Sequence, residues 1–197
     1  MKKTKFSTLA KQFALATIFV ILFATADAQK KSKSGDAPFG KGDNTIGLFA
    51  GLPIGWDDYL SGSTPLPSLG VIFDHGIIDD LGPGNLGVGG VVALNSAKGN
   101  YSNGSATSRN FIIAIRGTYH LTILADRNNK FDPYAGVTAG LRIYEYKNTY
   151  LNATTNSVNP VLGAFVGAKY NFASSFGAFA EVGYDISFVR GGICFNF

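Results

Sequence analysis

From residue 44 to the C-terminus, apolar side chains recur at every second position in stretch after stretch, and no helical spacing of useful length interrupts them. The alternation predicts eight strands, at 44–54, 66–75, 86–96, 107–120, 131–146, 157–172, 176–185 and 188–197. Turn-rich segments separate them: SGSTP, DDLGPGN, KGNYSNGS, DRNNK and YLNATTNS. Each strand reaches the roughly 9–11 residues that a tilted strand needs to cross a bilayer.

The two faces separate by composition. In 107–120, Phe111, Ile113, Ile115 and Tyr119 share one face, while Asn110, Ala114, Arg116, Thr118 and His120 share the other. In 131–146, Val137, Leu141 and Ile143 oppose Tyr134, Thr138 and Arg142. In 157–172, Leu162, Val166 and Tyr170 oppose Phe165 and Lys169, and in 176–185, Val182 and Tyr184 oppose Phe179, Glu181 and Asp185.

Alternation does not say which face is outside, since a lipocalin-like barrel also has eight strands, with its apolar residues inside. The second face is mostly Gly, Ala, Thr and Asn with one or two charges per strand. That is a poor exterior for water and a good filling for a narrow lumen. The aromatics also cluster by level. Phe73, Tyr119, Phe131, Tyr170, Phe172, Phe176 and Phe197 fall at the same end of the apolar faces, as in the aromatic girdle of a membrane barrel. Phe111 and Tyr184 make a sparser upper rim.

The fold class expected is therefore all-β: an eight-stranded antiparallel up-and-down transmembrane β-barrel. With both termini in the periplasm, loops 55–65, 97–106 and 147–156 face outward, and the 173–175 turn is tight. Turns 76–85 and 121–130 come out longer than such barrels usually carry.

The N-terminus is read apart from the barrel. Lys2, Lys3, Lys5 and Lys11 precede an apolar run, Phe13 to Ala24, and an A-x-A site at Ala26-Asp27-Ala28. This is the pattern of a secretory signal peptide over 1–28, too short for a membrane anchor. The expected organisation is signal peptide 1–28, a flexible periplasmic leader 29–43 and the barrel 44–197. Four lysines against Asp27 assign +3 of the chain's +4 to the signal peptide, so the barrel is nearly neutral and nucleic-acid binding is not indicated. A lone cysteine, Cys194, excludes an intramolecular disulfide.

PSLGVIFDHGI (67–77), RNFIIAIRGTYHL (109–121) with DPYAGVTAGLR (132–142), GAFAEVGYD (177–185) and the terminal strand GGICFNF together resemble small outer-membrane barrels of the OmpA/OmpX type, in the form common among Bacteroidetes-like Gram-negative bacteria. The resemblance implies an outer-membrane location, a monomer surrounded by outer-membrane lipid, and a terminal strand read by the barrel-assembly machinery. Ile193, Phe195 and Phe197 would carry that assembly signal. Cys194 is the departure from the pattern, and its role stays open.

The inward charges expected are Arg116, Arg142, Lys169, Glu181 and Asp185, forming a plug in which Lys169 pairs with Glu181 across adjacent strands. A ring lining a pore is the alternative. His75 is assigned to a turn, and neither His75 nor His120 has an evident serine or acidic partner beyond Asp74, so catalysis is not expected. GPGNLG (82–87) fits a nucleotide-loop pattern only formally, because no helix follows it. No cofactor or metal is expected. Trp56, Tyr59, Tyr101 and Tyr150 in the outward loops are candidate contacts for an extracellular ligand. The function expected is a non-enzymatic structural or adhesion-like role, with a narrow diffusion channel second and a lipid-modifying enzyme a distant third.

Overall fold

The computed structural model describes residues 37–54, 64–101, 104–124 and 130–197. Among them run β1 (Asn44–Pro53), β2 (Thr64–Pro65), β3 (Ser68–Leu81), β4 (Gly84–Tyr101), β5 (Gly104–His120), β6 (Phe131–Asn148), β7 (Ala153–Ala173), β8 (Phe176–Tyr184) and β9 (Ser187–Asn196). Each predicted strand overlaps one of the eight long strands. β2 is a two-residue addition held against β4 through Thr64↔Lys98 and Pro65↔Ala97.

Every long strand pairs antiparallel with its sequence neighbours, and β1 pairs with β9 to close the ring. The closing register sets Ile46 beside Phe195 and Leu48 beside Ile193. Asn44 and Phe197 exchange backbone hydrogen bonds of 3.0 Å each. The terminal Ile193, Phe195 and Phe197 thus lie on the outer face, while Cys194 between them is fully buried inside.

The outside is apolar and the inside is mixed. Ile115 (68% exposed) on β5 and Leu162 (72%) and Val166 (61%) on β7 face out, while Arg116 on β5, Glu181 on β8 and Asp185 just past β8 are at most 1% exposed. For a water-soluble protein that arrangement would be inverted. Hydrocarbon outside and paired charge inside is the arrangement of a membrane barrel, where closure leaves no backbone group unpaired in lipid. The architecture is that of a small eight-stranded outer-membrane barrel.

The strands run longer than the sequence pattern suggests. The expected 76–85 turn is largely strand: β3 continues to Leu81, β4 begins at Gly84, and the connection is Gly82–Pro83, with Gly82 at φ 65°. Bulges at Gly76/Ile78 and Ile78/Leu81 blur the alternation there. His75 consequently sits within β3, and not at a turn, where its Nδ1 lies 2.9 Å from Asn44 Oδ1. The strands of the β4–β5 and β6–β7 hairpins likewise extend into the expected loops 97–106 and 147–156, because polar strand residues above the lipid pair as well as apolar ones but show no alternation. In the second hairpin Asn152 adopts φ 47°, and Asn148 Oδ1 accepts from the Tyr150 and Leu151 amides.

The expected flexible leader is ordered where it is described. Residues 37–43 fold across the lower end of the barrel with Phe39 1% exposed. Gly42 N donates to Gly76 O and Gly76 N to Asp43 O, both at 2.9 Å, so this segment continues the pairing of β3 past the start of β1. A phenylalanine at the mouth of a lumen has somewhere to be buried, which a leader in free solution lacks.

Glycine inside the barrel is a packing device. A Cβ built on Gly89 would lie 1.8 Å from Phe73 O, whereas one on the outward Gly90 would meet nothing nearer than Ala114 O at 3.5 Å. Gly89→Ala is therefore expected to destabilise the barrel by about 1–3 kcal/mol, and Gly90→Ala to leave stability nearly unchanged. Urea unfolding in detergent micelles, followed by the heat-dependent gel shift, measures both.

Candidate functional site

The lower half of the lumen is filled by one ion-pair network. Glu181 on β8 is its centre. Its Oε1 accepts from Arg116 Nη2 and from the Tyr134 hydroxyl, both at 2.7 Å, and Arg190 Nε bonds its Oε2. Arg190 Nη1 also bonds both oxygens of Asp185, at 2.9 and 3.0 Å. Arg116 Nε lies 3.1 Å from Asp74 Oδ1, and Thr138 Oγ1 donates to Asp185 Oδ2 at 2.9 Å. The Phe165 ring is wedged between the two guanidinium groups, 4.4 Å from Arg116 Cζ and 5.1 Å from Arg190 Cζ.

Alternation along β8 and across β5, β6 and β9 aims these residues at one another. Facing glycines give them room: a Cβ on Gly136 would stand 2.4 Å from Phe165 Cζ. Each charge is removed from water, so each requires partners, and the branching network supplies them.

A second polar layer lies toward the N-terminal segment. Lys169 stands directly opposite Asp132 in the β6–β7 register, with Nζ 3.3 Å from its Oδ2. Nζ also reaches Thr45 Oγ1 at 3.3 Å and Asn196 Oδ1 at 3.4 Å. His120 Nδ1 lies 2.9 Å from both Asp132 oxygens, and its Nε2 is 3.3 Å from Thr118 Oγ1. Phe39 covers this layer: its ring stacks on His120 at 3.9 Å, and its carbonyl accepts from Asn85 Nδ2 at 2.7 Å.

The expected pairing of Lys169 with Glu181 is corrected. Lys169 turns to Asp132 on its other neighbour, and Glu181 is occupied by Arg116, Arg190 and Tyr134. His120 does have an acidic partner, Asp132, found across the hairpin from it. Arg142 sits on the inward face of β6, further along the strand than Thr138. It lines a small cavity of about 10 Å³ nearer the opposite mouth with Ile54, Asn95, Asn110, Ile112, Val161 and Ile186. The buried apolar cluster of the lumen includes Phe49, Ile72, Val91 and Phe179. Asp74, Asp132, His120, Tyr134 and Arg190 were not singled out for the network. The first two sit in FDHG and FDPY, where strand parity alone places them inward.

Thr118, His120 and Asp132 stand in the order hydroxyl, imidazole, carboxylate. A nucleophile must meet its substrate, however, and Thr118 is 1% exposed beneath Phe39. The geometry is that of a satisfied buried layer. Among the described residues no group of His, Cys, Asp and Glu could hold a metal ion.

At the opposite end β4 to β7 rise above the rest of the ring. Leu94, Phe111, Ile143 and Val158 form the last apolar row across their outer face. The next outward row is Ser96, Arg109, Glu145 and Asn156, and the one above it Lys98, Thr107, Lys147 and Thr154. β8 joins β7 only from Ala164 downward, so residues 153–163 have β6 on one side and no paired strand among the described residues on the other. Tyr150 is 66% exposed in the β6–β7 turn. Tyr101 ends β4, and Trp56 and Tyr59 lie outside the described residues.

The aromatic residues expected in a lower girdle are found on the outer face. Tyr170, Phe172, Phe176 and Phe195 touch in series, with ring centroids 5.5, 6.0 and 5.3 Å apart. Phe131 pairs with Tyr170, while Phe73 and Tyr119 sit on β3 and β5. On that side exposed Leu81, Ile123 and Leu124 extend the apolar rim.

The chain is similar in structure to the N-terminal β-barrel domain of Pseudomonas aeruginosa OprF, at 17% identity and TM-score 0.47, over 81% of this chain and 100% of that one. It is similar to Ail, the attachment invasion locus protein of Yersinia pestis, solved with the heparin analogue sucrose octasulfate, at 13% identity and TM-score 0.47, over 80% and 99%. It is also similar to the outer membrane protein OprG of Pseudomonas aeruginosa, at 13% identity and TM-score 0.47, over 82% and 99%. No family model matches the chain, and no curated protein matches it.

The network makes a quantitative prediction. Double-mutant cycles read by urea unfolding should give a coupling energy of about 1–3 kcal/mol for Asp132→Ala with Lys169→Ala. The cycle pairing Lys169→Ala with Glu181→Ala should be additive within about 0.5 kcal/mol. Glu181→Ala alone should cost about 3–5 kcal/mol, because it takes one of the carboxylate partners from each of two buried guanidinium groups.

Proposed function

We propose that this protein acts at the cell surface by non-catalytic contact, through the sheet that β4 to β7 raise above the membrane. The observation that carries the reading is the open edge of β7. Above the row of Val158, Ala153–Ser157 offers an uncharged backbone edge, ATTNS, with no proline. Natural sheets usually blunt such an edge with lysine, a bulge or a covering element. The opposite edge of the raised sheet, on β4, is covered in part by the chain's own β2. An exposed edge of this length suits an extended peptide segment that adds a strand by main-chain hydrogen bonds.

The same reading includes removal of residues 1–28 as a signal peptide, both termini in the periplasm, and a monomer in the outer membrane. Support for the orientation comes from the connections: the Gly82–Pro83 and Ser174–Ser175 turns lie at the end where β1 begins and β9 finishes, and the raised sheet lies at the other. Ile193, Phe195 and Phe197 serve as the assembly signal, and Phe73, Tyr119, Phe131, Tyr170, Phe172 and Phe176 as the periplasmic girdle.

A filled lumen argues against the channel alternative. In planar bilayers the refolded barrel should pass no steady current. Conductance steps that change in Arg116 or Glu181 variants would make it a pore.

Adhesion of cells that display the barrel to immobilised extracellular proteins tests the surface reading. Thr155→Pro with Asn156→Pro removes an amide donor whichever way the strand's parity runs, above the lipid and away from the lumen. The double variant should retain its heat-dependent gel shift and lose most of the adhesion. Undiminished adhesion in a folded double variant would contradict the reading.

A further inference from the structure

The outer face of the described strands carries its upper cations in one place. Lys98 on β4, Arg109 on β5 and Lys147 on β6 all point outward, in the two rows immediately above Leu94, Phe111, Ile143 and Val158. Lys98 and Lys147 share a row and are separated only by Thr107. Two strand spacings set their backbones about 10 Å apart. Arg109 lies one row lower on the strand between them and is ion-paired with Glu145 at 3.1 Å. The patch therefore holds three cations and one carboxylate, with all three cations exposed.

We propose that this patch is a binding site for the phosphate groups of membrane lipids in the leaflet nearest the raised sheet. The proposal rests on the membrane placement given above. The row below the patch is apolar and exposed, as contact with acyl chains requires, and the raised sheet above it is polar. Side chains at the boundary that point away from the barrel axis meet headgroups, and the charged part of a headgroup is its phosphate. Lysine and arginine stems are long enough to lie along the apolar row while their charged ends stay at the interface. Anionic headgroups attract such clusters, with an attraction that salt screens. Arg109 adds a planar guanidinium that can hold two phosphate oxygens while Glu145 fixes its side chain over Phe111's row.

The site would bias the barrel's lipid shell on one side only. The remaining upper rim, around Leu52, Tyr184 and Phe188, presents exposed apolar or aromatic residues instead. Anionic lipid held at β4 to β6 would keep the base of the raised sheet at a fixed height above the bilayer. That height would expose the β7 edge.

Electron spin resonance of spin-labelled lipids in vesicles tests this. The barrel is refolded into phosphatidylcholine vesicles containing trace spin-labelled phosphatidic acid or phosphatidylcholine, and the motionally restricted fraction is compared. The wild type should favour phosphatidic acid several-fold, and 0.5 M salt should reduce the preference. The triple variant Lys98→Gln, Arg109→Gln, Lys147→Gln should lose most of it while keeping the heat-dependent gel shift. The arginine-retaining variant Lys98→Arg, Lys147→Arg should keep it. Lys41→Gln, a change at the other end of the barrel, should also keep it. No preference in the wild type, or an undiminished one in the folded triple variant, would overturn the proposal. Abolition of the preference by millimolar inorganic phosphate at constant ionic strength would overturn the lipid assignment in favour of a free-anion site. Both leaflets carry the same lipid in this assay, so its result is independent of orientation. Surface proteolysis of intact cells reads the orientation separately.

Discussion

Closure is the constraint on which the rest depends. Lipid offers no hydrogen-bond partner to a backbone amide, so a sheet in a bilayer must have no edge at that depth. Here the seam between β1 and β9 supplies closure, continued to the last residue by the reciprocal bonds between Asn44 and Phe197. A ring of eight strands is narrow, and side chains must fill it. The filling is polar because the outside is required to be apolar and strand alternation puts the other residue type within. Charge in that space is tolerable only as a network, and Glu181, bridging Arg116 and Arg190, is its hub. The lumen's chemistry is thus a consequence of the topology, and it supports the barrel more readily than it supports transport or catalysis.

Closure also explains where interaction can be placed. Edges are forbidden in the lipid but allowed above it. β4 to β7 continue past the apolar band while β8 and β9 turn at Asp185–Ile186, so the part of the β7 edge above Val158 stands where water can satisfy it. The row of Leu94, Phe111, Ile143 and Val158 marks that transition on the outer face. The change from apolar to charged residues within one row divides a surface suited to acyl chains from one suited to headgroups and protein.

Much of this was legible in the sequence, because a membrane strand writes its environment at every second position. Ile113, Ile115 and Arg116, or Val182 and Glu181, could be assigned to opposite faces from parity alone. Parity says which residues face inward but not which inward residues meet. Lys169 and Glu181 are close on adjacent strands, yet the β6–β7 register sets Asp132 directly opposite Lys169, and the pairing goes there. Arg190 lies directly opposite Glu181 in the β8–β9 register, and Asp74 on β3 reaches Arg116 on β5 past the intervening β4. The hairpin ends were underestimated for a different reason: above the lipid, residues such as Lys98 and Thr107 continue the ladder without continuing the apolar pattern. Phe39 was hidden because a single aromatic in a Gly- and Lys-containing leader has no periodicity; only the open mouth of the barrel gives it a place.

Hydrogen–deuterium exchange of the refolded protein in lipid tests the central claim, that this chain is a closed barrel, most directly. The amides of 45–51 and 189–195 should exchange as slowly as those of 111–119 in the middle of the sheet, while those of 153–159 exchange faster. Fast exchange along both sides of the β1–β9 seam, with slow exchange elsewhere, would mean an open sheet and would contradict the account.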